Sequence, residues 1–245
     1  LKDKGLDAFW RVLSMKEHSS NVSQHLSSLR SIPDPVFNTL YDYRKKLKNL
    51  TENCINCIPN ETWQSSMIEV PPSVEIIKLF SLIDNLLILC PQKYGPWGVQ
   101  KIHQLLLGDE FEKEIHSWGQ GTPIMARSNQ PEIGLANGDV GIIIGNGENR
   151  RFLFNVFSEK QKLVTRLINP SRLNKFSASF AMTIHKSQGS EADKVLLLWP
   201  NTSNRIKENN LIKSYSNDYQ KRMIYTAITR AKKQLLVITN KEEDF

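Results

Sequence analysis

Phe180-Ala181-Met182-Thr183-Ile184-His185-Lys186-Ser187-Gln188-Gly189-Ser190-Glu191 is the stretch on which the reading of this 245-residue chain turns. It opens as an apolar strand and then crowds hydroxyl, imidazole, ammonium and amide groups into one loop. A second apolar strand follows at Val195 to Leu198. Donors gathered at a strand-to-loop junction suit phosphate or sugar contacts. Gly189 permits a positive φ or a close backbone approach. In open α/β sheets, ligands bind at the carboxyl ends of strands. From composition alone, an ordinary polar loop between two core strands accounts for the stretch equally well.

The second informative segment is Tyr225-Thr226-Ala227-Ile228-Thr229-Arg230-Ala231-Lys232-Lys233. Tyr219, Met223, Ile224, Ala227 and Ile228 recur on one helical face, which predicts a helix packed on a sheet. Leu235 to Thr239 then reads as the next strand. Arg230 falls near the helix end, and Lys232 and Lys233 are read as last-turn charges that complement the helix dipole.

Upstream, helical spacing of Val36, Phe37, Leu40, Tyr41, Leu47 and Leu50 predicts a helix over 34–50, with Asp34 and Pro35 at its start. Residues 51–72 are polar, end in Pro71-Pro72 and read as a linker or surface loop. A helix from Ser73 carries Ile76, Ile77, Phe80 and Ile83, and Leu86 to Cys90 reads as a buried strand stopped by Pro91. Gly95-Pro96-Trp97-Gly98 is a turn into a further helix through Val99, Ile102 and Leu106. The run Leu105-Leu106-Leu107-Gly108-Asp109-Glu110 mimics a magnesium-holding acidic pair. That chemistry needs a buried strand, however, and these apolar positions continue a helix. From Gly121 short strand patterns, at Pro123 to Arg127, Asp139 to Ile144, Phe152 to Phe157 and Lys162 to Ile168, are separated by turn signals at Asn137-Gly138 and Gly145-Asn146-Gly147. The α/β pattern returns after Asn169-Pro170. The expected organisation is a helical junction or linker over 1–72, an α/β domain over 73–118 and 178–245, and a small β insertion over 119–177.

The balance of 32 Lys and Arg against 25 Asp and Glu gives a net charge of +7, which favours a polyanionic partner such as nucleic acid. No apolar run approaches the roughly 20 residues that span a bilayer. Three cysteines are too few for a disulfide framework, so the chain reads as cytosolic and reduced. Cys54 and Cys57 form a C-x-x-C without a second ligand pair, so no metal site is expected.

Taken together, the two segments resemble the last two helicase motifs of superfamily 1 enzymes, and within them the RecD-like branch, the alpha subunit of exodeoxyribonuclease V. Gly95 to Val99 resembles that branch's segment preceding its β insertion. Gly121 to Asn129 and Gly134 to Ile142 resemble the start of its SH3-like insertion. Four matches in order over roughly residues 85–240 are more specific than any one of them. The resemblance implies a RecA-like P-loop NTPase second motor domain, a parallel sheet flanked by helices, with an inserted small SH3-like β-barrel. It implies an ATP-dependent 5′ to 3′ DNA helicase acting in double-strand break repair and recombination. ATP with Mg2+, single-stranded DNA and RecB-like and RecC-like subunits are the implied partners. By motif position, Arg230 is the arginine finger and catalytic residue. Gln188, Gly189 and Glu191 line the ATP side with it, and Thr183, His185, Lys186 and Ser187 face DNA. A remnant of a further arginine motif is sought at Leu29-Arg30-Ser31.

No Gly-Lys-Ser or Gly-Lys-Thr phosphate loop occurs in the chain. The expectation is therefore a C-terminal portion that does not hydrolyse ATP alone, its ATP and magnesium held mainly by a first motor domain. A stand-alone RecD-like or conjugative helicase, or a non-catalytic DNA-binding remnant of a motor, are the competing readings.

Overall fold

A computed structural model of the chain describes residues 22–27, 34–95, 97–114, 117–158, 162–200 and 217–240. In chain order its elements are β1 (Val22–Ser27), α1 (Asp34–Cys57), β2 (Met67–Val70), α2 (Val74–Asn85), β3 (Leu86–Cys90) and α3 (Val99–Leu107). There follow β4 (Pro123–Ala126), β5 (Val140–Ile144), β6 (Arg151–Phe157), β7 (Leu163–Ile168), β8 (Phe176–Ala178), β9 (Met182–Thr183), β10 (Ala192–Leu198), α4 (Asn217–Ile228) and β11 (Ala231–Asn240). The chain is thus mixed α/β, and the described residues fall into two compact units. One takes those within Leu1–Phe37, Asp84–Ile102 and Ala181–Phe245, the other those within Asn38–Ile83 and His103–Phe180.

The first unit is built on a five-stranded sheet ordered β1-β11-β10-β3-β9, with every neighbouring pair parallel. Leu87 to Cys90 and Val195 to Leu198 are buried in unbroken runs. Such runs suit strands covered on both faces, as parallel strands are. The second unit holds a six-stranded sheet ordered β2-β7-β6-β5-β4-β8, antiparallel throughout. Phe152, Leu153, Phe154, Ile142, Ile143, Ile144 and Ile124 form its centre, and Phe152 meets Phe176 edge-on at 4.9 Å between centroids.

Several expectations need correction. The polar stretch 51–72 is not a loop throughout. α1 continues to Cys57 because Thr51, Cys54 and Ile58 extend the buried stripe of Val36, Leu40, Tyr43 and Leu47 at helical spacing. The Thr51 hydroxyl is absorbed by donating to the Lys48 carbonyl at 2.6 Å. β2 then pairs with β7, where Glu69 opposite Arg166 forms an ion pair at 3.2 Å. Its four residues alternate too briefly for a pattern to announce it. Lys232 and Lys233 are not in a helical last turn; they lie on β11 and reach Glu191 at 3.9 Å and Asp193 at 2.6 Å. Arg30 and Pro96 lie outside the described residues.

The run before Asp109 and Glu110 does continue helix α3. Glu110 is turned to Arg44 at 3.4 Å and accepts the Gly119 amide at 3.2 Å. Cys54 and Cys57 sit in the last turns of α1, one buried and one exposed. Burial first, and then the neighbouring Cys57 and Glu75, push the Cys54 thiol up to about 12.

Candidate functional site

The segment that leads from β9 to β10 makes the site. β9 is only Met182–Thr183, short because its sole partner is the carboxyl end of β3, with Thr183 opposite Cys90. A 3-10 turn follows at Ile184–Ser187, with Ile184 and Ser187 buried and His185 and Lys186 exposed. Since β3 lies between β9 and β10, the segment must cross β3 before entering β10. It also runs backwards along the sheet, from the level of Thr183 at the carboxyl edge to Ala192 at the amino edge. The turn packs against both β3 and α4 as it goes.

Two groups of polar side chains result. At the carboxyl edge, His185 Nε2 and the Tyr219 hydroxyl share a hydrogen bond, with ring centroids 5.6 Å apart and planes at 45°. Tyr219 stands in the first turn of α4, so the loop is tied to that helix where it starts. At the amino edge, Arg230 occupies the turn between α4 and β11. Its guanidinium donates to the Ser190 carbonyl at 3.3 Å, to the Thr226 carbonyl at 3.2 Å and to the Thr229 hydroxyl at 3.1 Å. Its own carbonyl accepts the Ala192 amide at 3.0 Å. Gly189, Ser190 and Glu191 therefore sit beside Arg230, and Glu191 also faces Lys232 at 3.9 Å.

Gly189 has φ of +88°, and a Cβ placed there would meet nothing within 4 Å. The residue serves the backbone conformation, and the space above it stays open. Gln188 is exposed beside it, with its amide on the His185 carbonyl at 3.4 Å. Ser187 differs from its neighbours: it is fully buried, and its hydroxyl donates to the Ile184 carbonyl at 2.7 Å. In this conformation that hydroxyl closes the turn.

Of the residues expected together at the carboxyl ends of the strands, Thr183, His185 and Lys186 stand there. Gly189, Glu191 and Arg230 stand at the opposite edge, because the segment crosses the sheet. Sequence reasoning also missed Tyr219 as a partner of His185 and Ser190 as the anchor of Arg230. Tyr219 was visible only as a member of a helical face. The Ser190 contact is made by backbone, which leaves no trace in residue type.

Comparison with known proteins follows the same residues. Residues 178–238, from β8 through most of β11, match the UvrD-like helicase C-terminal domain family. Over this stretch the chain is similar to a helicase C-terminal domain. Over a longer span the chain is 28% identical across 214 residues to the RecBCD enzyme subunit RecD of Buchnera aphidicola subsp. Schizaphis graminum, covering 84% of this chain and 32% of that protein. It is 32% identical across 160 residues to the RecBCD enzyme subunit RecD of Mycolicibacterium smegmatis, covering 64% of this chain and 25% of that one. These matches support a RecD-like helicase C-terminal portion, and the chain spans about a third or less of the curated relatives it matches. Among solved structures, a Pif1 helicase from Bacteroides in complex with ADP-AlF3 and ssDNA aligns with 86% of this chain and 50% of its own, at 15% identity and a TM-score of 0.39. At that score the likeness adds no weight to the topology described above.

Proposed function

We propose that this chain supplies the second motor domain of an ATP-dependent DNA helicase, a RecD-like alpha subunit of exodeoxyribonuclease V acting in double-strand break repair and recombination. The parallel sheet is read as RecA-like, and the antiparallel unit as the SH3-like insertion, with 119–177 as its inserted body and β2 as an added edge strand. One observation carries the proposal: Arg230 and the Gly189–Glu191 turn lie side by side at one edge, while His185 and Lys186 lie at the other.

In this reading Arg230 is the arginine finger. A guanidinium held by three acceptors is positioned before any phosphate arrives, and it stabilises charge developing on a transferred phosphoryl group. The amino edge suits ATP with Mg2+: the guanidinium is a fixed donor, Gly189 leaves open space, and exposed Gln188 and Glu191 offer polar contacts. ATP itself would be cradled mainly by a phosphate loop that these 245 residues do not contain. Thr183, His185 and Lys186 take the DNA backbone at the carboxyl edge, with Ser187 holding the turn that presents them. The partners are single-stranded DNA, traversed 5′ to 3′, and RecB-like and RecC-like subunits.

The test is ATP turnover by the full-length protein with single-stranded DNA present. Arg230→Ala should lower turnover by about 10³-fold or more, with nucleotide binding retained. Turnover equal to the unsubstituted protein would overturn the assignment.

A further inference from the structure

The turn that leaves the carboxyl edge of the parallel sheet after β3 carries a further aromatic. β3 is hydrogen-bonded to β9 up to Cys90 opposite Thr183, so the turn that follows β3 emerges beside the start of the loop. That turn carries Lys93 and Tyr94. Tyr94 is 57% exposed, and the Lys93 ammonium lies 4.8 Å from the centre of its ring.

The turn is fixed in place. The amides of Val99 and Gln100, in the first turn of α3, donate to the carbonyls of Gln92 and Lys93 at 3.2 and 2.9 Å. Gly98 lets the turn close, since a Cβ there would stand 2.7 Å from the Tyr94 carbonyl carbon. An exposed aromatic on an anchored turn with a cation against its ring is what a base-stacking contact requires: a flat face, and a charge to meet the adjoining phosphate.

Burial narrows the choice of aromatic further. Trp97, Trp118, Trp199 and Tyr43 are buried. Tyr41, Trp63 and Trp118 belong to the other compact unit. Tyr225 is exposed but lies late in α4, toward the amino edge with Arg230. Tyr219 already holds His185. Among the described tyrosines and tryptophans of this unit, Tyr94 is the exposed one on a turn leaving the carboxyl edge next to β9.

We propose that Tyr94 stacks on a base of single-stranded nucleic acid and that Lys93 meets the neighbouring phosphate. This rests on the motor reading above, and it assigns a base contact to the turn after β3, which that reading leaves without a role.

The experiment measures binding of a fluorescent oligothymidylate to the 245-residue chain over a range of salt, with Tyr94→Ala, Tyr94→Phe and Lys93→Ala. Tyr94→Ala should weaken binding by about tenfold with the salt slope unchanged, and Tyr94→Phe should bind as the parent does. Lys93→Ala should reduce the salt slope by about one phosphate contact. An oligonucleotide carrying 5-iodouracil should photocrosslink to the Tyr94 peptide. Salt-sensitive binding that Tyr94→Ala leaves intact, with crosslinks elsewhere, overturns this inference while the motor reading stands. No binding by the parent chain overturns both.

Discussion

The Arg230 guanidinium donates to the Ser190 carbonyl at 3.3 Å, and two residues further along the loop the Ala192 amide donates to the Arg230 carbonyl at 3.0 Å. The position of the arginine is therefore set by the backbone of the loop as much as by its own helix. A side chain aimed by backbone carbonyls keeps its aim whatever residue stands at 190, provided the peptide can adopt the same path.

Replacement of Arg230 by lysine should fail to restore ATP turnover in the full-length protein. An ammonium is a single-point donor on a flexible stem, whereas the three contacts of Arg230 use a planar fork. Steady-state turnover of Arg230→Lys close to that of Arg230→Ala is the expected outcome.

Gly189→Ala tests backbone conformation in isolation, because nothing lies within 4 Å of the added methyl. The expected cost is about 1 kcal/mol, from the positive φ alone. A shift in the denaturant midpoint with an unchanged slope would report it.

Ser187→Ala removes a buried hydroxyl that donates to the Ile184 carbonyl at 2.7 Å. It should cost roughly 1 kcal/mol of stability and leave the affinity for single-stranded DNA as it was. A loss of affinity in a variant of unchanged stability would return Ser187 to the DNA-facing set.

Cys54 and Cys57 should separate cleanly under alkylation. At pH 8 the native chain should take up iodoacetamide at exposed Cys57, with Cys54 modified only after denaturation, as read by peptide mass. Its pKa of about 12, against an ordinary 9.0, also sets a pH dependence. The folded thiol holds its proton where the unfolded one loses it, so stability falls as pH rises above 9.0 toward 12.

Leu197 is fully buried in β10 between β3 and β11. Leu197→Ala should destabilise the chain by about 2–5 kcal/mol, seen in chemical denaturation of the parallel-sheet unit.

The elements with long apolar periodicity were readable directly. α2, β3, α3, β5, β6, β7, β10 and α4 stand within a few residues of where spacing puts them, since each buries a face that hydrophobic pattern reports. Two of the short strands were not. β2 and β8, of four and three residues, exist because a longer partner offers an edge, whereas the two-residue β9 was announced by the apolar run into Thr183. The site was legible as a set of residue types, and His185, Gly189 and Arg230 stand out in the sequence. Its division between two edges was not, because that depends on β3 lying between β9 and β10. Sheet order is a tertiary fact, and residues 180–191 carry no mark of it.

That crossing has a mechanical corollary. From Thr183 to Ala192 the chain must travel six strand residues down and two strand spacings across, about 22 Å. A 3-10 turn of four residues, the turn closed by the Ser190 amide on the Ser187 carbonyl and two extended steps reach about 22 Å at most. The segment is a strap with little slack, buttoned to α4 by His185–Tyr219 at one end and Ser190–Arg230 at the other. A displacement of the arginine buttonhole has no spare length to disappear into, so it is felt at the histidine.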